Sequence, residues 1–189
     1  MSRHKRSILS SSLFRLFEEI IDLFERGNLN LGMQMQQQSE WCWAAVSTSV
    51  ALYYDSASPW TQCKVVNAEL AMSTCCTNGS SAGCNQPWYL DKALTRVAHF
   101  DHWRGGTASR DEIVGEVKGG RPLGLRIGWS GGGGHFIVID GYDEDEQEKD
   151  ANIVEVRDPI YGTSRLHYDD LVSHYQSSGS WTDSYWTKA

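Results

Sequence analysis

The period of the apolar pattern changes part-way along the chain, and that change limits the folds open to it. Between residues 42 and 118 apolar positions recur at helical intervals, whereas from Leu123 onward they gather into short runs parted by glycine-rich or acidic turns. The first pattern predicts helices over 42–54, about 62–73, about 86–98 and about 109–118, the last opened by a capping box of Ser109 with Glu112 three residues later. The second predicts antiparallel strands at Leu123 to Trp129, His135 to Ile139, Ile153 to Val156 and Arg165 to His167. A short helix from Asp169 to Tyr175 and a strand near Trp181 to Trp186 follow. Helices first and strands second describe an α+β architecture of two lobes.

A chain of 189 residues with 40% apolar content can bury one good core. The expected organisation is an N-terminal extension over 1–31 and a single domain over 32–189. Within the extension, Leu13, Leu16, Phe17, Ile20 and Phe24 recur at helical spacing, with Arg15, Glu18, Asp22, Glu25 and Arg26 opposite. That pattern predicts an amphipathic helix over 10–27 with Gly27 as its stop, serving as a packing element, a propeptide, or an export or partner-binding segment. Glu18, Glu19 and Asp22 interrupt the apolar stretch that a Sec-type signal requires. No apolar run approaches the roughly 18 residues of a membrane span. The net charge of -7, with a basic cluster only at Arg3, Lys5 and Arg6, argues against nucleic acid as the main partner, since such binding depends on neutralising phosphates.

Five cysteines are present, and four of them, Cys63, Cys75, Cys76 and Cys84, crowd together. If Cys42 is kept as a thiol, an even number remains, which suits one or two disulfides in a protein that ends up outside a reducing cytosol. Four reduced, buried cysteines are the plainer alternative. Zinc is disfavoured because adjacent Cys75 and Cys76 lack the two-residue gap of a chelating pair. No metal and no cofactor are expected.

Cys42 opens a predicted helix that is otherwise apolar and small, so the positive end of the helix dipole is expected to favour its thiolate. His135 begins an apolar strand directly after Gly131 to Gly134, where glycines leave room for a substrate backbone and place an imidazole at a cleft edge. Asp158 closes the strand from Ile153 and precedes Pro159, a position from which a carboxylate can orient that imidazole. Gln36, six residues before Cys42, is the candidate side-chain donor to an oxyanion, with the Cys42 backbone N–H as its partner. Gln34, Gln37 and Gln38 lie close enough to compete for that role. Trp129, Gly133 and Gly134 are candidates for the cleft wall, and Trp43 for either wall or core.

Gln36, Cys42, His135 and Asp158 follow one another in the order of the papain superfamily. More closely, Gln36 to Ala45, Cys75-Cys76 with Cys84-Asn85, Gly133 to Tyr142 and Asp158-Pro159-Ile160-Tyr161-Gly162 resemble the compact bacterial papain-like peptidases. These include type III effector proteases of plant pathogens and, more distantly, leader peptidases of peptide exporters. The resemblance spans about residues 32–187, as those motifs are laid out. It implies a cysteine endopeptidase working through Cys42, His135 and Asp158 with Gln36 at the oxyanion. The implied partners are a protein or peptide substrate and a cognate inhibitor or immunity protein. Paired cysteines without a Sec-type signal suggest a protein secreted or delivered by a specialised secretion system, with the cytoplasm as the alternative location. Trp43-Ala44-Ala45 after the nucleophile, and Asp158 where papain has Asn, separate the chain from plant papains in substrate preference. The same residues also serve glutamine deamidases and transglutaminases, and a papain-like binding module without activity is a third reading.

Overall fold

The computed structural model describes residues 26–143 and 152–189. The amphipathic helix expected over 10–27 lies outside the described residues up to position 25. Its last two positions instead enter a strand, β1 (Arg26–Asn28), which pairs antiparallel with Gly141–Asp143. Gly27 is required there for close approach rather than as a helix stop, because a Cβ would collide with the Tyr142 ring. Arg26–Asn28 therefore join the sheet, and Leu31 just beyond them is buried in the core.

The chain continues through α1 (Cys42–Tyr54), α2 (Gln62–Glu69), α3 (Leu90–Arg96), β2 (Phe100–Gly105), α4 (Arg110–Lys118), β3 (Leu123–Trp129), β4 (Gly134–Asp143), β5 (Ile153–Asp158), β6 (Gly162–His167), α5 (Tyr168–Ser173) and β7 (Gly179–Thr187). The strands form one sheet in the order β2-β7-β3-β4-β5-β6, with β1 attached to the far end of β4, and every pairing is antiparallel. The α+β expectation holds.

The alternation of β4 divides the core in two. Phe136 and Val138 face the helical lobe of α1, α2 and α3, while Ile137 and Ile139 face a second cluster with Ile113 and Val117 of α4 and Leu171 of α5. With both faces covered, β4 reads in sequence as an uninterrupted apolar run. Helix α4 thus belongs to the sheet lobe although it comes from the helical half of the chain. Its Ser109–Glu112 capping box is formed.

Strand β2 was not expected. It is an edge strand, exposed from Asp101 to Gly105, so it carries no apolar alternation to reveal it. Helix α2 is shorter than expected, and α3 starts at Leu90 because Tyr89 before it is extended. Helix α1 is buried from Cys42 to Ala51, including Ser47, Thr48 and Ser49. Their hydroxyls donate to the carbonyls of Ala44 (3.2 and 2.7 Å) and Ala45 (2.7 Å), so three polar residues enter the core without orphaned groups. Burying Val46 and Val50 on the same helix stabilises the fold by about 1.5–3 kcal/mol each.

Candidate active site

Two tryptophans fix the start of α1. The Trp41 indole donates to the Cys84 carbonyl at 2.8 Å and the Trp43 indole to that of Gln86 at 3.0 Å. Both rings are buried, so Trp43 is core rather than cleft wall. The segment they grip is stapled by disulfides Cys63–Cys76 and Cys75–Cys84, the first of which ties it to α2. Asn85 adds two bonds: its Oδ1 accepts from the Glu40 N–H at 3.0 Å and its Nδ2 donates to Ser39 Oγ at 2.9 Å. The free thiol Cys42 stands at the end of this brace, 8% exposed, and as the first helical residue its N–H has no acceptor within the helix.

The partner side chains come from the sheet. Gly132 and Gly133 have φ of 91° and 83°, a turn that only glycine enters readily. Gly134 lies under the Arg126 guanidinium, 2.7 Å from where a Cβ would sit. The next residue, His135, places Nε2 2.9 Å from each oxygen of Asp158, which leaves Nδ1 as the nitrogen open to the Cys42 thiol, a group near enough to help hold the imidazolium. Asp158 is fully buried. Its Oδ1 accepts from the N–H groups of Ile160 (2.6 Å) and Tyr161 (2.9 Å) across the turn at Pro159, and its Oδ2 accepts from the Tyr175 hydroxyl at 2.6 Å. Trp129 stacks near both His135 and Tyr175, with ring centroids 6.1 and 6.4 Å away.

Gln36 is placed differently from the expectation. Its N–H donates to the Pro159 carbonyl at 2.9 Å, which sets it against the Asp158 turn. Its amide Nε2, however, donates to the carbonyls of Gln38 (2.9 Å) and Ser39 (2.8 Å), and Oε1 is buried without a partner. Both amide hydrogens order the loop before Cys42. Of the neighbouring glutamines, Gln34 is engaged elsewhere, its Oε1 accepting from Gln62, and the Gln37 backbone N–H donates to Gln62 Oε1.

A cleft of about 710 Å³ opens beside His135, between Trp88 and Tyr89 ahead of α3 and the sheet face carrying Arg126, Phe136 and Tyr185. Gly133 and Gly134 line it, whereas Trp129, expected in its wall, covers the His135–Asp158 pair instead. Among the described residues no group of three or more His, Cys, Asp or Glu is arranged to hold a metal ion.

The family model of the papain-like cysteine protease AvrRpt2 matches residues 23–178. The chain belongs to that family. It is a papain-like cysteine protease, a hydrolase. A double glycine motif protease from an AMS/PCAT transporter, solved in complex with the leader peptide, is similar with a TM-score of 0.49 at 18% identity, over 86% of this chain and 95% of that one. The Pseudomonas avirulence protein AvrPphB is similar with a TM-score of 0.46 at 11% identity, over 85% of this chain and 98% of that one. No curated protein matches the chain.

In this AvrRpt2-family protease the buried pair is charge-stabilised. Burial opposes the imidazolium of His135, but the hydrogen bond and charge of Asp158, together with Cys42, outweigh it and raise His135 to about 9. Burial likewise pushes Asp158 up, and the bonds from His135, Tyr175 and the Tyr161 N–H overcome it, so the carboxylate stays below its ordinary value. Burial and the carboxylate together raise the Tyr175 phenol, which keeps it a donor. Sequence reasoning missed Tyr175, which it placed at the end of a helix. The helix stops at Ser173, and positive φ at Gln176 and Ser177 turns the chain so that Tyr175 faces inward. Among the described residues no helix is long and apolar enough to cross a membrane.

Proposed function

We propose that the protease hydrolyses peptide bonds of a protein substrate through a Cys42-His135-Asp158 triad and an acyl-enzyme intermediate. The observation that carries this reading is the buried His135–Asp158 pair, with the free Cys42 thiol at the start of α1 near enough to add to the hold on the imidazolium. Cys42 attacks the scissile carbonyl as thiolate, and its lone pair forms the S–C bond while the carbonyl π pair moves to oxygen. His135 as imidazolium then gives its Nδ1 proton to the leaving amine as the C–N bond breaks. The neutral imidazole next takes a proton from water, whose oxygen displaces the thiolate, and the cycle closes.

Within the same proposal the oxyanion is held by the Cys42 N–H and by Gln36, whose amide releases its Ser39 carbonyl bond to turn toward it. Substrate enters along the cleft lined by Gly133 and Gly134. Residues 32–189 form the catalytic unit together with the β1 segment from Arg26, and the residues before it are an extension. The protease acts outside the cell that makes it, as a secreted or delivered effector, a setting in which the Cys63–Cys76 and Cys75–Cys84 disulfides persist.

The test is incubation of the full chain, beside Cys42→Ala, with a proteome-derived peptide library, read by mass spectrometry. Cys42-dependent new peptide termini are expected. A gain of about one mass unit at glutamine without cleavage would assign a deamidase instead, by the same thioester chemistry.

A further inference from the structure

We infer that Tyr175 is a positioning residue of the active site, its hydroxyl sharing the Asp158 carboxylate with His135 and so setting how firmly Asp158 holds the imidazolium. The inference rests on the triad reading and extends it to a fourth side chain. Tyr175 is 1% exposed and donates at 2.6 Å to Oδ2, one of the two oxygens that His135 Nε2 approaches at 2.9 Å. The other oxygen is held by two backbone N–H groups, so every donor around Asp158 except Tyr175 and His135 comes from the main chain. A main-chain donor belongs to the turn itself; the phenol is the adjustable one.

The position is built, not incidental. The chain leaves α5 and reverses through Gln176 and Ser177 at φ of 46° and 69°, and Tyr175 bridges to Gly179 across that turn. Gly179 has no room for a side chain, because a Cβ there would lie 2.8 Å from the Trp129 ring and 2.9 Å from the Tyr175 carbonyl. Trp129 lies near both Tyr175 and His135 and covers the whole hydrogen-bonded row. The titratable groups facing the row are Cys42 from α1, Asp158 at the end of β5, and Tyr161, whose ring meets that of His135 edge-on at 6.3 Å from the turn beyond. Gln176 is the other side chain near enough to act on the phenol.

A donor to a carboxylate lowers its proton affinity, and with it the pull it exerts on the imidazolium. Removing the Tyr175 hydroxyl therefore leaves Asp158 more basic and holds the His135 proton more tightly. A proton held more tightly is passed less readily to a leaving amine, so the hydroxyl tunes His135 as an acid.

The test is alkylation of Cys42, the free thiol, by iodoacetate in the intact folded chain, followed across pH by mass spectrometry. The anionic reagent is drawn by the imidazolium, so its rate falls as His135 loses its proton, and no amide substrate is involved. In Tyr175→Phe the midpoint of that alkaline fall is expected to move up by about half a pH unit or more. With 3-fluorotyrosine installed at position 175, a more acidic phenol, it is expected to move down. An unmoved midpoint, or one shifted the same way by both variants, overturns the inference and leaves Tyr175 a packing residue. A wild-type chain that cuts no peptide but shows the two opposite shifts would sink the protease reading alone. Should Tyr175→Phe fail to fold, the fluorinated variant alone decides.

Discussion

His135 and Asp158 meet where neither side chain reaches water: the carboxylate has no exposure, the imidazole 3%, and Nε2 lies 2.9 Å from both oxygens. A buried carboxylate so placed holds the imidazolium, and each charge stabilises the other. The folded-state value of His135, about 9, lies above its ordinary 6.5. The pair therefore contributes stability fully below about pH 6.5 and loses it as pH rises through 9. Asp158 is shifted the other way, so its share is present above its ordinary value of 3.8 and lost as pH falls below it. Thermal melts between pH 7 and 10 are expected to show Tm falling by about 3–6 °C more in the wild type than in Asp158→Asn, where no carboxylate holds the His135 proton.

Asp158→Asn should also change the chemistry. The neutral amide cannot hold the imidazolium, so the alkaline limb of kcat/KM is expected to move down from about 9 toward ordinary histidine values. The rate at pH 7 should fall by about 10²–10⁴-fold, as when a triad carboxylate is lost elsewhere. An unmoved limb would show that Asp158 does not set the protonation of His135.

Gln36 has two tasks open to its amide, ordering its own loop and donating to an oxyanion. Gln36→Ala removes both, but only the second is confined to the transition state. Steady-state kinetics should show kcat reduced by about 10²-fold with KM little changed. A rise in KM with kcat preserved would assign Gln36 to the loop alone.

The brace around Cys42 predicts a conflict between two redox needs. The nucleophile must be a free thiol, while Cys63–Cys76 and Cys75–Cys84 must stay oxidised to hold the segment that Trp41 and Trp43 grip. Each bond is expected to contribute about 2–4 kcal/mol, so the Cys75→Ala/Cys84→Ala chain should melt well below the wild type. Activity followed against rising dithiothreitol should first climb, as any Cys42 oxidised on handling is returned to the thiol, and then decline with the appearance of four further alkylatable thiols. A plateau without decline would separate the staples from the nucleophile.

What could be read from the sequence follows from how local each signal is. Helix α1 was legible because its run of small, mostly apolar residues is buried without a break from Cys42 to Ala51, and β3 because its apolar run is bounded by turns at both ends. His135 and Asp158 were legible because each sits where a strand meets a turn, and glycine and proline mark turns in the sequence itself. The pairing of the four cysteines was not, since their spacing allows more than one connectivity and the choice depends on where α2 packs. Tyr175 was invisible for a related reason: its contact with Asp158 spans 17 residues and depends on a reversal that carries no glycine at the two positions with positive φ. Edge strand β2 lacked the alternation by which strands announce themselves.

The start of the folded unit yields the last prediction. The sequence boundary between 31 and 32 puts Arg26 to Leu31 outside the domain, yet these residues carry β1 and a buried leucine. The Leu31 N–H donates to Asp140 Oδ2 at 2.9 Å, and the Leu29 N–H to the Asp140 carbonyl at 2.8 Å. Asp140 is itself fully buried, and its two oxygens accept from Arg157 Nε at 2.8 Å. Burial pushes this carboxyl up and Arg157 pulls it back only in part, so the loss of the Leu31 donor falls on a buried group already short of compensation. A chain beginning at residue 32 should therefore melt at least about 5 °C below one beginning at residue 26, through lost strand pairing, the uncovered core at Leu31 and the weakened hold on Asp140. Equal melting temperatures for the two chains would return the boundary to residue 31.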